Sequence, residues 1–129
     1  MPIAVCGAHM QGMALNHQLL ERGGHLIKHA RTAARYRLFA LPGEPARPGL
    51  VRDVMGGGSI EIEVWALRSV DLGSLVEAIP APLGLGKIEL DGGETVTGFV
   101  CESHATGSAR EITALGGWRA YLAESAGRR

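Results

Sequence analysis

The stretch "IEIEVWAL" (60–67) carries the clearest β-strand signal in the sequence, because apolar and polar residues alternate through Glu63. Alternation places the carboxylates of Glu61 and Glu63 on the same face as the indole of Trp65. Such a face is typical either of a solvated strand surface or of a polar cavity with an aromatic wall. The indole favours the cavity, where burial would raise the pKa of a carboxylate, so Glu63 is a candidate for acid–base catalysis.

The segments on either side of this strand predict an α+β fold. Strand patterns, including a hairpin around Asp-Gly-Gly, cover residues 2–6, 35–43, 50–54 and 86–102. Helical patterns cover residues 15–24, 70–79 and 118–125, and prolines indicate a loop over 44–49. About six strands with two or three helices predict a small mixed or antiparallel, barrel-like sheet. The residues 1–129 are expected to form a single domain.

The composition predicts a small ligand bound in a pocket. Thirteen basic and thirteen acidic residues leave a net charge of zero, so binding to nucleic acid or to an anionic membrane is not expected. The sequence has no leader-type segment and no apolar run of the roughly 20 residues that cross a membrane. The two cysteines, Cys6 and Cys101, fit neither a zinc motif nor a disulfide framework. Buried thiols in a reducing cytoplasm are therefore expected.

The turn in "CGAHM" (6–10) places one imidazole, that of His9, between the first strand and the first helix. The small residues Gly7 and Ala8 let backbone N–H groups approach a ligand, and such amides before a helix form a cradle for an anion. An imidazole titrates near neutral pH and is therefore suited to proton transfer. His9 is a candidate catalytic residue, and a solvated loop histidine is the alternative.

Five further residues are candidates for substrate contacts. Tyr36 and Arg37 point to opposite faces of their strand, so at most one of them enters a given cavity. Arg37 is the better anchor because its guanidinium can bind both oxygens of a carboxylate, although a surface ion pair is equally compatible with the pattern. Asn16 either contacts the substrate or caps the first helix. Leu83 and Gly84 follow two prolines in a rigid connection that either walls a pocket or simply ends a helix.

No metal site and no cofactor are expected. The five histidines show no ligand spacing, and His25 and His29, four residues apart, lie in a segment without a helical pattern. The sequence also lacks a Gly-x-Ser-x-Gly motif, and Cys6 has no partner that would mark it as a nucleophile.

Several long motifs, in order, resemble the C-terminal domain of allophanate hydrolase between about residue 3 and residue 122. They are "CGAHMQGMALNHQL" (6–19), "TAARYRLFALPG" (32–43), "PGLVRD" (48–53), "IEIEVWAL" (60–67), "IPAPLGLGKIEL" (79–90), "TGFVCE" (97–102) and "EITALGGWRAYL" (111–122). The resemblance implies a γ-glutamylcyclotransferase-like fold. Within that superfamily, Glu63 falls on the position of the catalytic glutamate, and Cys6 and His9 replace the tyrosine and leucine of a Tyr-Gly-Ser/Thr-Leu turn.

The resemblance implies that this domain decarboxylates N-carboxycarbamate, which an amidase releases from allophanate during urea degradation. His9 would then be the general acid that protonates the nitrogen. The backbone amides near Ala8 and Met10, with Arg37 or Tyr36, would hold the remaining carboxylate. Glu63 would be neutral or paired with a histidine, because a free carboxylate repels a dianion, and would orient His9 or a water molecule.

Two other functions remain open from the sequence. The first is a γ-glutamyl amine cyclotransferase, which needs a glutamate at the Glu63 position. The second is a non-catalytic module that binds a small dicarboxylate or docks on a separate amidase. The expected partners are therefore a small anionic substrate and an amidase domain or subunit, and an oligomer is compatible with the sequence.

Overall fold

Strand β1 (Pro2–Val5) is the central strand of a five-stranded sheet in the computed structural model, which describes residues 1–127. It pairs antiparallel with β5 (Glu61–Ala66) on one side and parallel with β7 (Thr95–Cys101) on the other. Its residues after Pro2 are all apolar and at most 2% exposed, as expected for a strand that is covered on both faces. The end of β1 is therefore fixed in the core, and the His9 turn follows directly from it.

The remaining elements surround this centre. The outer strands of the first sheet are β2 (His25–Arg31), beside β5, and β6 (Leu83–Glu89), beside β7. A second sheet of three strands has β3 (Tyr36–Leu41) between β4 (Arg47–Arg52) and β8 (Arg110–Glu111). The helices are α1 (Asn16–Leu20), α2 (Ser69–Ala78) and α3 (Trp118–Gly127). None of the helices within residues 1–127 is long and apolar enough to cross a membrane.

The α+β class predicted from the sequence is confirmed. Over residues 1–127 the strands form two separate sheets, however, and no closed barrel. The predicted strand at 60–67 and the hairpin at 86–102 are both present, as β5 and the β6–β7 pair.

Three strands differ from the sequence prediction, and the shortest of them, β8, is absent from it. Strand β4 begins at Arg47, inside the stretch that its prolines predict as a loop. Proline is tolerated there because β4 is an edge strand, where one row of N–H groups has no strand partner. Strand β2 is absent from the prediction because it is a mostly exposed edge strand whose pairing shifts between Leu26 and Lys28, which removes a clean alternation.

Both faces of β5 are buried, including the face that carries Glu61, Glu63 and Trp65. The segment before α3 packs tightly on that face, since a Cβ added at Gly117 would lie 2.8 Å from the Cβ of Glu61. Trp65 is 3% exposed and Glu63 is fully buried. The close approach at Gly117 brings the first turn of α3, including Arg119, over the strand.

Candidate functional site

A cavity of about 100 Å³ lies beside the turn that follows β1. Its polar side chains are those of His9, Gln18 and Arg47, and the rest of its lining is mainly apolar, including Phe99 and Leu83. These residues come from the turn, α1, β4, β7 and β6, so the two sheets and a helix enclose the space together. A cavity of this size suits a ligand of only a few heavy atoms.

The His9 turn is held by its own backbone and by a glycine contact. The Met10 N–H donates to the Gly7 carbonyl at 2.9 Å, and the Asn16 amide donates to the His9 carbonyl at 2.8 Å. A Cβ added at Gly7 would lie only 2.0 Å from Cγ of Pro48, so only glycine fits between the turn and β4. The turn is therefore pressed directly against the strand that supplies Arg47.

The backbone amides of this turn differ in their availability. The N–H of Met10 is used within the turn, so the expectation that it faces an anion is not supported. In contrast, the N–H groups of Ala8 and His9 have no acceptor among residues 1–127. Both residues line the cavity. Two free amides beside an arginine are suited to holding a carboxylate.

The His9 imidazole is fixed by two neighbours. Its Nε2 lies 2.7 Å from Oε1 of Gln18, and its ring stacks on that of Phe99 with centroids 5.7 Å apart. Burial lowers the pKa of His9 below 6.5; the hydrogen bond to Gln18 opposes this shift, and the positive charge of Arg47 adds to it. The ring is therefore mainly neutral at neutral pH in the absence of an anion.

Arg47 is the cationic side chain of the cavity. It is partly buried, and no carboxylate within the described chain forms an ion pair with its guanidinium. An arginine without an acidic partner, facing a mainly apolar cavity, has its binding capacity available for an anion. The sequence prediction missed Arg47 because it lies in the proline-rich stretch that was predicted as a loop.

Glu63 lies outside this cavity and is not neutral. Its Oε1 accepts hydrogen bonds from the Gln11 N–H at 2.8 Å and the Trp65 indole at 2.9 Å, and its Oε2 accepts one from Arg119 at 2.8 Å. Burial alone would raise the pKa of Glu63, but these three donors outweigh burial and lower it. The raised pKa predicted from the sequence is therefore wrong.

The nearest histidine to Glu63 is His29 rather than His9. The Nδ1 of His29 lies 3.5 Å from Oε2 of Glu63, on the exposed edge strand β2. The structure therefore does not bring His9 and Glu63 together in one site. Arg119, which neutralises Glu63, is 56 residues away in sequence, which is why the strand pattern alone did not reveal it.

The two predicted anchors on β3 also lie away from the cavity. Arg37 pairs with Glu111 at 2.5 Å on the surface, which is the alternative that the sequence left open. The hydroxyl of Tyr36 accepts a hydrogen bond from the Glu89 N–H at 2.9 Å, and its ring belongs to the core. Arg47 lines the cavity, whereas Arg37 does not.

The other candidates are divided. Leu83 lines the cavity, whereas its neighbour Gly84 does not. Asn16 is buried and supports the turn through the His9 carbonyl, and it makes no side-chain cap for α1.

Cys6 lines the cavity, but burial, with a smaller contribution from Cys101, raises the pKa of its thiol to about 12. Cys6 is therefore protonated and a poor nucleophile. Within residues 1–127, no three His, Cys, Asp or Glu side chains come together to hold a metal ion.

Known proteins share this fold and sequence over nearly the whole chain. The family model of the allophanate hydrolase C-terminal domain matches residues 1–123. Urea amidolyase of Saccharomyces cerevisiae is 39% identical over 126 residues, which cover 93% of this chain and 7% of that protein. Kluyveromyces lactis allophanate hydrolase superposes with a TM-score of 0.92 at 34% identity, over 96% of this chain and 21% of that chain. A uropathogenic E. coli-specific protein superposes with a TM-score of 0.89 at 37% identity, over 95% of this chain and 94% of that one.

These similarities establish the class and then the family. The α+β arrangement is the γ-glutamylcyclotransferase-like fold that the sequence motifs implied. The chain belongs to the allophanate hydrolase C-terminal domain family. It spans only 7% of the yeast protein and 21% of the Kluyveromyces lactis chain, so those relatives carry the matching region within much longer proteins.

Proposed function

We propose that this domain decarboxylates N-carboxycarbamate, the product of an amidase acting on allophanate, as a step of urea degradation. The observation that carries the proposal is the small cavity that combines His9, the unpaired Arg47 and the free amides of Ala8 and His9. A dianion of a few heavy atoms matches both the size and the charge of this cavity. The membership of the allophanate hydrolase C-terminal domain family supports the same substrate class.

The decarboxylation needs one proton, which the nitrogen of the substrate takes up. One N–C bond of N-carboxycarbamate breaks, carbon dioxide leaves without the bonding electron pair, and that pair stays on nitrogen. The nitrogen takes up a proton, so that the dianion and one proton give carbon dioxide and carbamate. Carbamate then takes up a second proton and breaks down to ammonia and carbon dioxide. A positioned general acid accelerates such a step by about 10²–10⁴-fold.

His9 is the proton donor in this account. Gln18 holds Nε2, so the proton that is transferred resides on Nδ1 of the protonated ring. The free ring is mainly neutral because burial lowers the pKa of His9, but the negative charge of a bound dianion raises that pKa again. Substrate and proton therefore bind together, and the acid is charged only when the cavity is filled.

Arg47 and the turn hold the carboxylate that remains. The guanidinium forms charge-assisted hydrogen bonds to a carboxylate, and the Ala8 and His9 amides add fixed dipoles. The apolar lining, with Phe99 against the His9 ring, keeps the effective dielectric low and strengthens these interactions. Charge that remains on the product carbamate is therefore held while carbon dioxide departs.

The role of Glu63 argues against a cyclotransferase. That reaction needs a carboxylate free to take a proton from the substrate, whereas both oxygens of Glu63 accept hydrogen bonds from protein donors. Its lowered pKa also makes it a weak base. Glu63 lines none of the three best-formed cavities within residues 1–127.

The direct experiment supplies freshly made, ¹³C-labelled N-carboxycarbamate to the purified chain and follows carbon dioxide by membrane-inlet mass spectrometry. Release above the spontaneous rate is expected. Parallel incubations with γ-glutamyl peptides test for 5-oxoproline, and calorimetry with malonate, a stable dianion, tests for binding. Malonate binding without any turnover would favour a non-catalytic module, and formation of 5-oxoproline would favour a cyclotransferase.

A further inference from the structure

Gln11, two residues after His9, is held at both of its backbone polar groups by one partly buried ion pair, that of Glu63 and Arg119. Its N–H donates to Oε1 of Glu63 at 2.8 Å, and its carbonyl accepts from Nη2 of Arg119 at 2.8 Å. The same Nη2 lies 2.8 Å from Oε2 of Glu63. Glu63 and Arg119 therefore close a ring of hydrogen bonds around a single peptide segment.

Other residues fix the side chains of Glu63 and Arg119, which together form a clamp on Gln11. Glu63 is fully buried, and the Trp65 indole fixes its Oε1 at 2.9 Å. Arg119 is also tied to Glu61 at 3.4 Å, so its guanidinium cannot swing away freely. Both carboxylates lie on β5, an interior strand of the first sheet. The clamp therefore fixes Gln11 to the core rather than to another surface loop.

The clamp holds the end of the His9 turn, and a different contact holds the start of that turn. At the start of the turn, Gly7 is pressed against Pro48. At its end, Gln11 is fixed by Glu63 and Arg119. His9 and the free amide of Ala8 lie between these two fixed points. Loss of the second fixed point would leave the end of the turn held only by hydrogen bonds within the turn and by those from Leu15 and Asn16.

We propose that Arg119, acting with Glu63, is a positioning residue for His9: the pair clamps Gln11 and so holds the turn in the geometry that proton transfer needs. The effect on catalysis rests on the proposed function, whereas the effect on the turn does not. Neither Arg119 nor Glu63 lines the cavity, so the pair touches no substrate. A displacement of about 1 Å at a catalytic group can cost about 10²-fold in rate, which gives the pair a measurable role.

The test compares Arg119→Met with Arg110→Met in the full chain. Arg110 also anchors α3, through Glu124 at 2.8 Å, but makes no contact with the turn. Amide hydrogen exchange by NMR reports the turn directly, and kcat and KM with N-carboxycarbamate report catalysis. Thermal melts followed by circular dichroism confirm that each variant is folded.

In Arg119→Met we expect the Gln11 amide to exchange at least about tenfold faster and kcat to fall about 10–100-fold. KM should change less than kcat, because Arg47 comes from β4 and does not depend on the clamp. Arg110→Met should leave both measurements within about twofold of the wild type. Arg119→Lys, which keeps the charge but cannot bond Gln11, Glu63 and Glu61 together, should recover part of kcat.

Unchanged Gln11 exchange in a folded Arg119→Met variant would overturn the proposal, and so would equal losses of kcat in Arg119→Met and Arg110→Met. If Arg119→Met does not fold, Arg119→Lys and Glu63→Gln decide the matter by the same two measurements. If the wild type shows no turnover, the proposed function fails, while the exchange of Gln11 still decides whether the pair holds the turn.

Discussion

His9 is held at Nε2 by Oε1 of Gln18, at 2.7 Å, and this contact decides which ring nitrogen can serve the substrate. With Nε2 engaged, the exchangeable proton of the imidazolium is the one on Nδ1. The stacking of the ring on Phe99 restricts its rotation further. A buried, oriented imidazole that is neutral until an anion arrives is well suited to deliver a proton only to a bound substrate.

The first prediction concerns the pH dependence of kcat/KM, which reports the free protein. A general acid must be protonated, and the pKa of His9 is lowered below 6.5 by burial. Measured between about pH 5 and pH 8, kcat/KM should therefore rise as the pH falls and level off below the pKa of His9. The pH profile of kcat should show the same transition at a higher pH, because the bound dianion raises the pKa of His9. A kcat/KM that increases with pH would identify His9 as a base instead.

The second prediction concerns stability and needs no substrate. Because the pKa of His9 is lower in the folded protein than the 6.5 of the free side chain, the unfolded chain binds more protons between these two values. The stability of the wild type should therefore fall as the pH drops through 6.5. His9→Asn lacks this contribution. Urea unfolding of both proteins should show a difference in free energy that changes with pH in this window and is constant above it.

The third prediction concerns the contact between Gly7 and Pro48. A methyl group at position 7 would meet Pro48 at 2.0 Å, so Gly7→Ala should destabilise the protein by about 1–3 kcal/mol and displace the turn. Gly84→Ala is the matched control, because no atom lies within 4 Å of a Cβ added there. Urea unfolding should separate the two variants. Equal stabilities would show that the turn is not pressed against β4.

The fourth prediction concerns the anion anchor. Arg47→Met should raise KM for N-carboxycarbamate at least about tenfold, because a charge-assisted hydrogen bond to the substrate is lost. Arg37→Met removes an exposed arginine that pairs with Glu111, and it should leave KM within about twofold of the wild type. The reverse result would restore Arg37 as the anchor that the sequence pattern favoured.

The sequence revealed the features that depend on neighbours along the chain. The alternation of residues 60–67 was sufficient for β5, and the short Gly-Ala-His turn after an apolar strand marked His9. The environment of Glu63 depends instead on Gln11 and Arg119, which are 52 and 56 residues away. Local periodicity shows which face a carboxylate occupies, but it cannot show which donors meet it there.

Arg47 is a residue that the sequence prediction passed over. The prolines around it predicted a loop, and a loop arginine gave no reason to prefer it over Arg37 in a regular strand. The edge position of β4 tolerates Pro48. The register pairs Leu41 with Arg47 and Arg37 with Val51, so the two arginines share one face of the sheet but lie at opposite ends of it, Arg47 at the cavity and Arg37 in a surface ion pair. Edge strands with prolines are therefore a place where sequence patterns understate the contribution to a site.

The central claim is that His9 delivers the proton to the nitrogen of the substrate. It is tested most directly by the rate of carbon dioxide release from N-carboxycarbamate in the wild type, in His9→Asn and in His17→Asn, the last being an exposed histidine on α1. Loss of His9 should lower kcat by about 10²–10⁴-fold, and loss of His17 should change it by less than about twofold. A His9→Asn variant that releases carbon dioxide at the wild-type rate would contradict the account.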